Sequence, residues 1–283
     1  MQNYWDLLAR QFHHQQPPLR PSTEDAALFS GIIRDWHRAR LPAKAQALLL
    51  GVTPELAALP LPPNFSLLAV EQSQAMIDFV WPGSVPPRRF VRRGDWFDID
   101  LPAESFDVVL GDGFTTGMAY PHQYRNIAKR ISAWLQPEGI CIARLFVRPE
   151  TRETPEQILS DLRQRKIRRF DALKWRLGMA CQNSVGEGVA VDDIYRAWND
   201  LRKHWPSLPE EAGWPRPTVE TIELYAGRSN RYHFPTVAEI NAEFSESLAW
   251  VSTTIPRYDF GACCPTLVYR RKPVEAPASR SKP

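Results

Sequence analysis

Short apolar runs alternate with amphipathic stretches over the first half of the chain. The apolar runs cover residues 47–50, 66–70, 90–92, 106–110 and 140–146. Short segments that are apolar on both faces are typical of parallel strands. Helical patterns lie between several of them, at 73–80 and 120–134, and an earlier helix over about 24–39 is predicted by the capping box of Ser22 and Asp25. The alternation predicts a doubly wound α/β sheet.

The pattern changes after residue 150. Thr154, Pro155 and Gln157 have the spacing of a helix start, and an apolar stripe follows from 158 to 177. A second helical stretch is predicted at about 190–204 and a strand at about 217–225. Thr236 and Glu239 form another capping box, before a helix to about 248 and two closing strands at 250–257 and 266–271.

Composition and charge exclude several classes of protein. The 35 Lys and Arg residues nearly balance the 32 Asp and Glu residues, so charge alone gives no argument for a nucleic-acid partner. Four cysteines without a CxxC pair favour neither a zinc ribbon nor a disulfide scaffold. No signal peptide and no membrane-length apolar run is found, so we expect a cytoplasmic protein without a membrane partner. The 26 prolines against 14 glycines argue against a nucleotide site built from glycine loops.

The first predicted strand ends at Gly51, where the turn would lie at the ligand-binding edge of the sheet. Thr53 is suited to cap a helix and Pro54 to its first position, so backbone N–H groups would face the turn. Such a helix start can hold an anionic group. The alternative is a plain joint between a strand and a helix.

Glu71 ends the second predicted strand, 20 residues after Gly51. A carboxylate at this spacing can accept hydrogen bonds from both hydroxyls of a ribose. Ser73 can cap the next helix, on which Met76 could cover a purine face. The alternative is a solvated acid at a strand end.

Two further acidic residues follow later strands. Asp95 could accept from an adenine amino group while Trp96 offers a stacking face, although both could simply form a surface turn. Asp112 lies between Gly111 and Gly113, and these glycines would permit close approach of a ligand to the backbone.

Four segments in this order, LLLGVTPEL, LLAVEQSQAMI, GDWFDIDLPAESFDVVLGDG and WLQPEGICIARLF, resemble the class I S-adenosylmethionine-dependent methyltransferases. The resemblance covers about residues 40–150, and 235–271 would supply the closing helix and two strands. It implies a Rossmann-like, mostly parallel seven-stranded sheet that ends in an antiparallel hairpin. The family usually carries GxGxG where this chain has Gly51 to Glu55, which suggests a subgroup with a GVTPE-type first motif.

The resemblance implies S-adenosyl-L-methionine as the cofactor. The Gly51 loop would face its methionine part, Glu71 its ribose, Asp95 and Trp96 its adenine, and Gly111 to Gly113 its sulfonium. The expected cofactor-binding residues are Gly51, Thr53, Glu55, Glu71, Gln72, Met76, Asp95, Trp96, Gly111, Asp112 and Gly113.

The same resemblance suggests how the chain is divided. Residues 1–40 would form a helical lid segment, 41–151 with 233–272 the cofactor-binding domain, and 152–232 a mainly helical substrate cap. Residues 273–283 have no apolar periodicity and are expected to be disordered. Tyr4 and Trp5 could fold over the cofactor or anchor an N-terminal helix.

Methyl transfer to a small-molecule acceptor needs alignment of the reactants and, for some acceptors, a base. Asp112 and His122 are the candidate catalytic residues, with Tyr120 as a possible substrate contact; no metal is predicted. The basic run from Arg163 to Arg176 could bind an anionic substrate or RNA, but a solvated helix face is the preferred interpretation. The oligomeric state, monomer or homodimer, is left open.

Two other functions remain open. A nicotinamide-dependent oxidoreductase would share the acid after the second strand, but GxGxxG is missing and a closing hairpin is predicted. A non-catalytic S-adenosylmethionine- or nucleotide-binding protein of the same fold would tolerate the altered glycine loop.

Overall fold

The computed structural model describes residues 4–83 and 87–272. The tail predicted at 273–283 therefore lies outside the described residues, as do the first three residues of the predicted lid segment.

A seven-stranded sheet forms the centre of the fold. Its strands are β1 (Ala45–Leu50), β2 (Phe65–Glu71), β3 (Arg89–Arg93), β4 (Phe106–Asp112), β5 (Leu135–Arg144), β8 (Leu248–Thr254) and β9 (Thr266–Arg271). In the sheet they have the order β3-β2-β1-β4-β5-β9-β8. Strands β1 to β5 are parallel, β9 runs antiparallel to β5, and β8 pairs antiparallel with β9. The seven-stranded, mostly parallel sheet and its closing hairpin are confirmed. A separate two-stranded ribbon is formed by β6 (Val189–Ala190) and β7 (Arg231–Tyr232).

Helices cover the sheet and fill the segment between β5 and β8. They are α1 (Tyr4–Gln11), α2 (Thr23–Arg40), α3 (Pro54–Ala57), α4 (Gln74–Val80), α5 (His122–Trp134), α6 (Pro155–Arg163), α7 (Phe170–Cys181), α8 (Val191–His204), α9 (Leu208–Glu211), α10 (Arg216–Glu220) and α11 (Val237–Phe244).

The predicted capping boxes fix three helix starts. Hydrogen bonds in both directions join Ser22 with Asp25, Thr154 with Gln157 and Thr236 with Glu239, so α2, α6 and α11 begin where the sequence predicts.

Two expectations for the insertion are wrong. Residues 217–225 are not a strand: they form α10 and a 3-10 helix, Thr221–Tyr225, in which Ile222 and Tyr225 are buried. The apolar stripe at 158–177 is not one helix but two, because Arg165 adopts a φ of 54° after the end of α6. Apolar spacing alone does not separate such buried helical turns from a strand.

The two faces of the sheet are covered by different helices. Phe29 and Ile33 of α2 and Leu56 of α3 pack on one face, whereas Ile127 and Ile131 of α5 pack on the other. A third buried cluster lies in the insertion and reaches Phe146, the second residue beyond β5, and Tyr4 of α1.

The segment between α1 and α2 is tied to distant parts of the fold. The Gln16 N–H donates to Asp171 at 2.7 Å, the Thr218 hydroxyl donates to the His14 carbonyl at 3.0 Å, and Arg144 donates to the Pro18 carbonyl at 2.8 Å. The N-terminal segment is therefore held against both the sheet and the insertion.

Candidate functional site

A cavity of about 770 Å³ opens at the carboxyl ends of β1, β2 and β4. In open α/β sheets this edge is where ligands bind, and the volume is typical of small-molecule sites. Of the predicted cofactor residues, those that line the cavity are Gly51, Thr53, Glu71, Gln72, Met76, Asp95, Trp96, Asp112 and Gly113. Their roles toward a cofactor stay predictions.

Gly51, Glu71 and Trp96 meet at one end of the cavity. Gly51 has a φ of +93°, and a Cβ built there would lie 3.7 Å from Glu71 Oε2 and 3.9 Å from the Trp96 ring. The Trp96 indole is fixed because its Nε1–H donates to the Val70 carbonyl at 2.7 Å. The left-handed backbone favours glycine, so this turn brings the main chain close to the carboxylate.

The carboxylate of the half-buried Glu71 is held by the backbone that leads into α4. Its Oε1 accepts from the Ser73 N–H at 2.8 Å, and Ser73 in turn caps α4. Burial raises the pKa of Glu71, although the backbone N–H groups of Gln72 and Ser73 oppose the shift. The arrangement leaves Oε2 facing the Gly51 turn and the cavity.

The Asp95 side chain stabilises its own turn through hydrogen bonds. Its carboxylate accepts from the Phe97 N–H at 2.9 Å and from the Gln72 side-chain amide at 3.1 Å. Both Asp95 and Gln72 line the cavity beside Trp96. The surface-turn interpretation and the ligand-binding one are thus compatible for this residue.

The first motif differs in detail from the expectation. The helix after Thr53 does begin at Pro54, but α3 has only four residues and the Thr53 side chain makes no capping hydrogen bond. Glu55 does not line the cavity; its Oε1 binds Arg20, with the Arg20 Nη2 at 2.7 Å. Glu55 therefore fastens the N-terminal segment to the Gly51 turn.

Asp112 is paired with a buried cation that the sequence analysis missed. Arg144 Nε donates to Asp112 Oδ1 at 2.6 Å, and the two side chains are 0% and 6% exposed. Burial raises the pKa of Asp112 to about 6, with Arg144 opposing the shift. Arg144 ends β5 directly beside Asp112 in the sheet register, and a lone arginine in the apolar run ICIARLF is the signal that could have found it.

The glycines around Asp112 serve packing. A Cβ at Gly111 would lie 2.4 Å from the Phe114 ring, and one at Gly113 would lie 2.5 Å from the Phe146 ring. Gly113 also has a φ of +57° and lines the cavity, whereas Gly111 does not line it.

The structure does not bring His122 and Tyr120 to the cavity. His122 is exposed at the start of α5, and the Tyr120 hydroxyl donates to Glu243 at 3.0 Å. His122 thus has the position of an ordinary helix-terminal residue. Gln123, the next residue of α5, lines the cavity instead and is a contact that the sequence analysis did not identify.

The N-terminal helix is anchored to the insertion and also contributes a residue to the cavity lining. The Tyr4 hydroxyl lies 2.6 Å from the Tyr232 hydroxyl and is buried, so Tyr4 anchors α1 to the insertion. Trp5 is 41% exposed and lines the cavity.

Aromatic side chains from the insertion close the other end of the cavity. Trp175, Tyr225 and Tyr232 line it together with Phe146. A cap is predicted for this segment from the sequence, but the apolar spacing of these residues is the same as that of a packed helix face and does not single them out.

The basic run is not one solvated helix face. Lys174 is buried, with its Nζ 3.0 Å from Asp171 Oδ1, and Arg176 binds Glu153 and Asp161. Lys166 lies 3.2 Å from Asp161. Three of its cations therefore serve ion pairs within the insertion.

Within residues 4–83 and 87–272, no group of three or more His, Cys, Asp or Glu side chains is placed to hold a metal ion, and no helix is long and apolar enough to cross a membrane.

Comparison with known proteins supports the fold. No family model and no curated protein matches the chain. A Rhodobacter sphaeroides protein described as a Zn-dependent alcohol dehydrogenase is 14% identical, with a TM-score of 0.58 over 95% of this chain and 97% of that chain. The N-methyltransferase NodS from Bradyrhizobium japonicum, solved with S-adenosyl-L-homocysteine, is 12% identical, with a TM-score of 0.51 over 95% and 99%. The carbon methyltransferase CurJ is 9% identical, with a TM-score of 0.52 over 95% of this chain and 59% of that one.

The chain has the Rossmann-like methyltransferase fold. At identities this low the likeness concerns the fold, and activity has to be argued from the site.

Proposed function

We propose that this protein binds S-adenosyl-L-methionine and transfers its methyl group to a small-molecule acceptor. The observation that carries the proposal is the Glu71 carboxylate facing the Gly51 turn, in a cavity that continues to Asp112 and Gly113. A carboxylate after the second strand can bind a ribose, and the resemblance would then put the reactive end of the cofactor at the fourth strand, beside Asp112 and Gly113.

The residues at the Glu71 end suit an adenosine. A carboxylate can accept from both ribose hydroxyls, and Oε2 of Glu71 is directed toward the turn. Trp96, fixed through Val70, offers an aromatic face beside it, and Met76 lines the same end. Gly51 and Thr53 remain the proposed contacts for the methionine part; Glu55, bound to Arg20 and outside the lining, is left out of the proposed site.

S-adenosylmethionine would supply an activated methyl group, and the chain's part is to align the acceptor and exclude water. Asp112 is the proposed proton acceptor. Its Oδ1 is taken by Arg144, and its second oxygen has no hydrogen bond to the described residues. With a pKa raised to about 6, Asp112 is ionised at neutral pH, as a base must be. His122 does not line the cavity and is given no role in this scheme.

The sheet also bears on the oxidoreductase alternative. In the dinucleotide-binding fold of such oxidoreductases, the strand next to the fifth strand is also parallel. In this protein the strand next to β5 is β9, which is antiparallel and separates β5 from β8. The likeness to the protein described as an alcohol dehydrogenase nonetheless makes NAD⁺ a necessary arm of the test.

The test is calorimetric titration of the protein with S-adenosylmethionine, S-adenosylhomocysteine and NAD⁺. We expect S-adenosylmethionine and S-adenosylhomocysteine both to bind. Glu71→Gln should raise the dissociation constant of each about tenfold or more, because hydrogen bonds to a charged group contribute roughly 1.5–3 kcal/mol. Glu246→Gln is the control, since Glu246 is exposed and 3.9 Å from Lys129. Binding of NAD⁺ alone, or an unchanged affinity in Glu71→Gln, would overturn the proposal.

Turnover separates catalysis from binding. Formation of S-adenosylhomocysteine is measured with acceptors that offer oxygen, nitrogen, sulfur or carbon nucleophiles. Cofactor binding without turnover on any of them would favour the non-catalytic binding protein.

A further inference from the structure

The two edge strands of the sheet differ in charge. Strand β3 lies at one edge and has three arginines among its five residues, of which Arg92 and Arg93 are exposed. Strand β8 lies at the other edge, and the chain has no charged residue between Glu246 and Arg257. Charged side chains on an edge strand oppose its pairing with the strand of another molecule. Strand β8 therefore lacks this protection along its whole length.

Large apolar side chains are exposed along β8 and just after it. Seven large hydrophobic residues are exposed in the described part of the chain, and three of them lie within six residues: Trp250 is 55% exposed, Val251 42% and Ile255 59%. The Trp250 indole is held along the strand, because its Nε1–H donates to the Thr253 hydroxyl at 3.0 Å. Exposed apolar residues that lie close together mark a surface for interaction with another molecule.

The backbone of β8 can accept a further strand. Strand β9 pairs with one side of β8, and no strand of the described chain pairs with its other side. The residues there include Trp, Val and Thr, which are common in strands. The register with β9 shifts between Trp250 and Ser252, which leaves two regular segments, 248–250 and 252–254. A strand from another molecule would supply backbone hydrogen bonds to the open side of these segments.

The charges at the two ends of β8 indicate which strand fits. Glu246 precedes β8 and Arg257 follows it, and both residues are exposed. Lys129 is 3.9 Å from Glu246 and is also exposed, so it compensates this carboxylate only weakly. In an antiparallel pair of two β8 strands, the start of each strand lies beside the end of the other. Glu246 of one copy then comes near Arg257 of the other, and two-fold symmetry repeats the contact.

Other occupants of this edge are less complementary. A uniformly acidic or basic strand would meet one opposite and one like charge at the ends of β8, and no charge between them. Pairing of β8 with β3 of another copy would set an uncharged strand against arginines. Such a head-to-tail contact would also leave a free β3 and a free β8 at the ends of every assembly, which would grow into a filament. The pairing of β8 with itself closes after two copies.

We propose that two copies of this chain associate through β8, as a two-fold symmetric dimer in which the two seven-stranded sheets join into one. Because each copy contributes a single strand, the interface is small, and we expect a dissociation constant on the order of micromolar. The cavity at the ends of β1, β2 and β4 is separated from β8 by β5 and β9. The dimer therefore does not depend on the proposed function, and binding of S-adenosylhomocysteine is not needed to test it.

Sedimentation equilibrium of the full chain, over about 1 to 100 µM protein, spans the expected dissociation constant. The weight-average mass should rise from that of one chain and level off at that of two. A mass that stays at one chain over the whole range would overturn the proposal. A mass that continues to rise beyond two chains would also overturn it, because it would indicate a head-to-tail contact.

Val251→Lys introduces a charge at the middle of β8. In the dimer the two lysines would lie close to the two-fold axis, so the variant should raise the dissociation constant at least tenfold. Phe90→Lys is the matched control, since Phe90 is 58% exposed on the opposite edge strand and this variant should dimerise as the wild type does. Equal effects of the two substitutions would contradict pairing through β8. A melting temperature for each variant shows whether it is folded under the same conditions.

A charge exchange tests the antiparallel arrangement itself. Glu246→Arg would set two arginines beside each other at both ends of the strand pair and should weaken the dimer. Adding Arg257→Glu to this variant restores opposite charges and should recover most of the lost affinity. Within one chain these residues lie at opposite ends of β8, a strand about 20 Å long, so the recovery would arise between copies. A double variant that dimerises no more tightly than Glu246→Arg would overturn the proposed pairing.

Discussion

Replacing Arg144 by methionine would test the buried ion pair beneath the cavity. Arg144 is fully buried, and the Asp112 side chain that it contacts is 6% exposed. Removing one partner of a buried pair leaves the other charge uncompensated, which costs about 3–5 kcal/mol. The variant also loses the hydrogen bonds to the Pro18 carbonyl and the Tyr258 hydroxyl, which contribute roughly 1 kcal/mol each. The total is a large part of the ~5–15 kcal/mol by which proteins are stable.

The matched control is Arg148→Met. Arg148 pairs with Glu239 at 2.9 Å, but its side chain is 22% exposed and that of Glu239 is 29% exposed. Solvent screens such a pair, so we expect a loss of at most about 1 kcal/mol. The double variant Arg144→Met with Asp112→Asn should recover more than half of the loss, since no uncompensated charge remains.

The free energy of unfolding of the wild type, the two single variants and the double variant is measured by urea unfolding, followed by tryptophan fluorescence. Midpoint concentrations are compared between proteins whose unfolding curves have the same slope. The reasoning is refuted if Arg144→Met and Arg148→Met shift the midpoint equally. It is also refuted if the double variant is no more stable than Arg144→Met, because the cost would then arise from packing and not from the charge left on Asp112.

Two further predictions concern the site itself. In methyl transfer to an acceptor that must lose a proton, kcat/KM should rise with pH through about 6 as the Asp112 carboxyl ionises. Asp112→Asn should abolish this rise, and a rise that persists in the variant would assign it to another group. Gly51→Ala should lower the affinity for S-adenosylhomocysteine about tenfold, because a left-handed φ costs an alanine roughly 1–2 kcal/mol in the bound turn. Gly31→Ala, at an open helical position, should leave this affinity unchanged. Equal affinities of the two variants in calorimetry would contradict the prediction.

Local sequence signals predicted the elements whose cause is local. The apolar runs of β1, β2, β4 and β5 are buried on both faces, and each predicted capping box starts a helix, because both signals depend on neighbours within a few residues. The spacing of Gly51 and Glu71 likewise brought two residues to one edge of the sheet. The closing strands followed from the family resemblance as well as from their pattern.

The parts that were missed depend on contacts over long distances in the chain. The pairing of Arg144 with Asp112 can be predicted only once β5 is known to lie beside β4. The 3-10 helix at Thr221–Tyr225 is stabilised by burial against α1 and the rest of the insertion. His122 failed to reach the cavity because α5 starts with that residue facing solvent, and sequence spacing does not fix the rotation of a helix about its axis.

The order of the strands has a consequence for synthesis. Strand β9, residues 266–271, lies inside the sheet between β5 and β8, although it follows both in the chain. Until it leaves the ribosome, the free edge of β5 and the whole of β8 have no partner, so the sheet is completed only after translation of the other strands has ended. During that interval the nascent chain exposes the unpaired edge of β5, to which the strands of other chains can also bind.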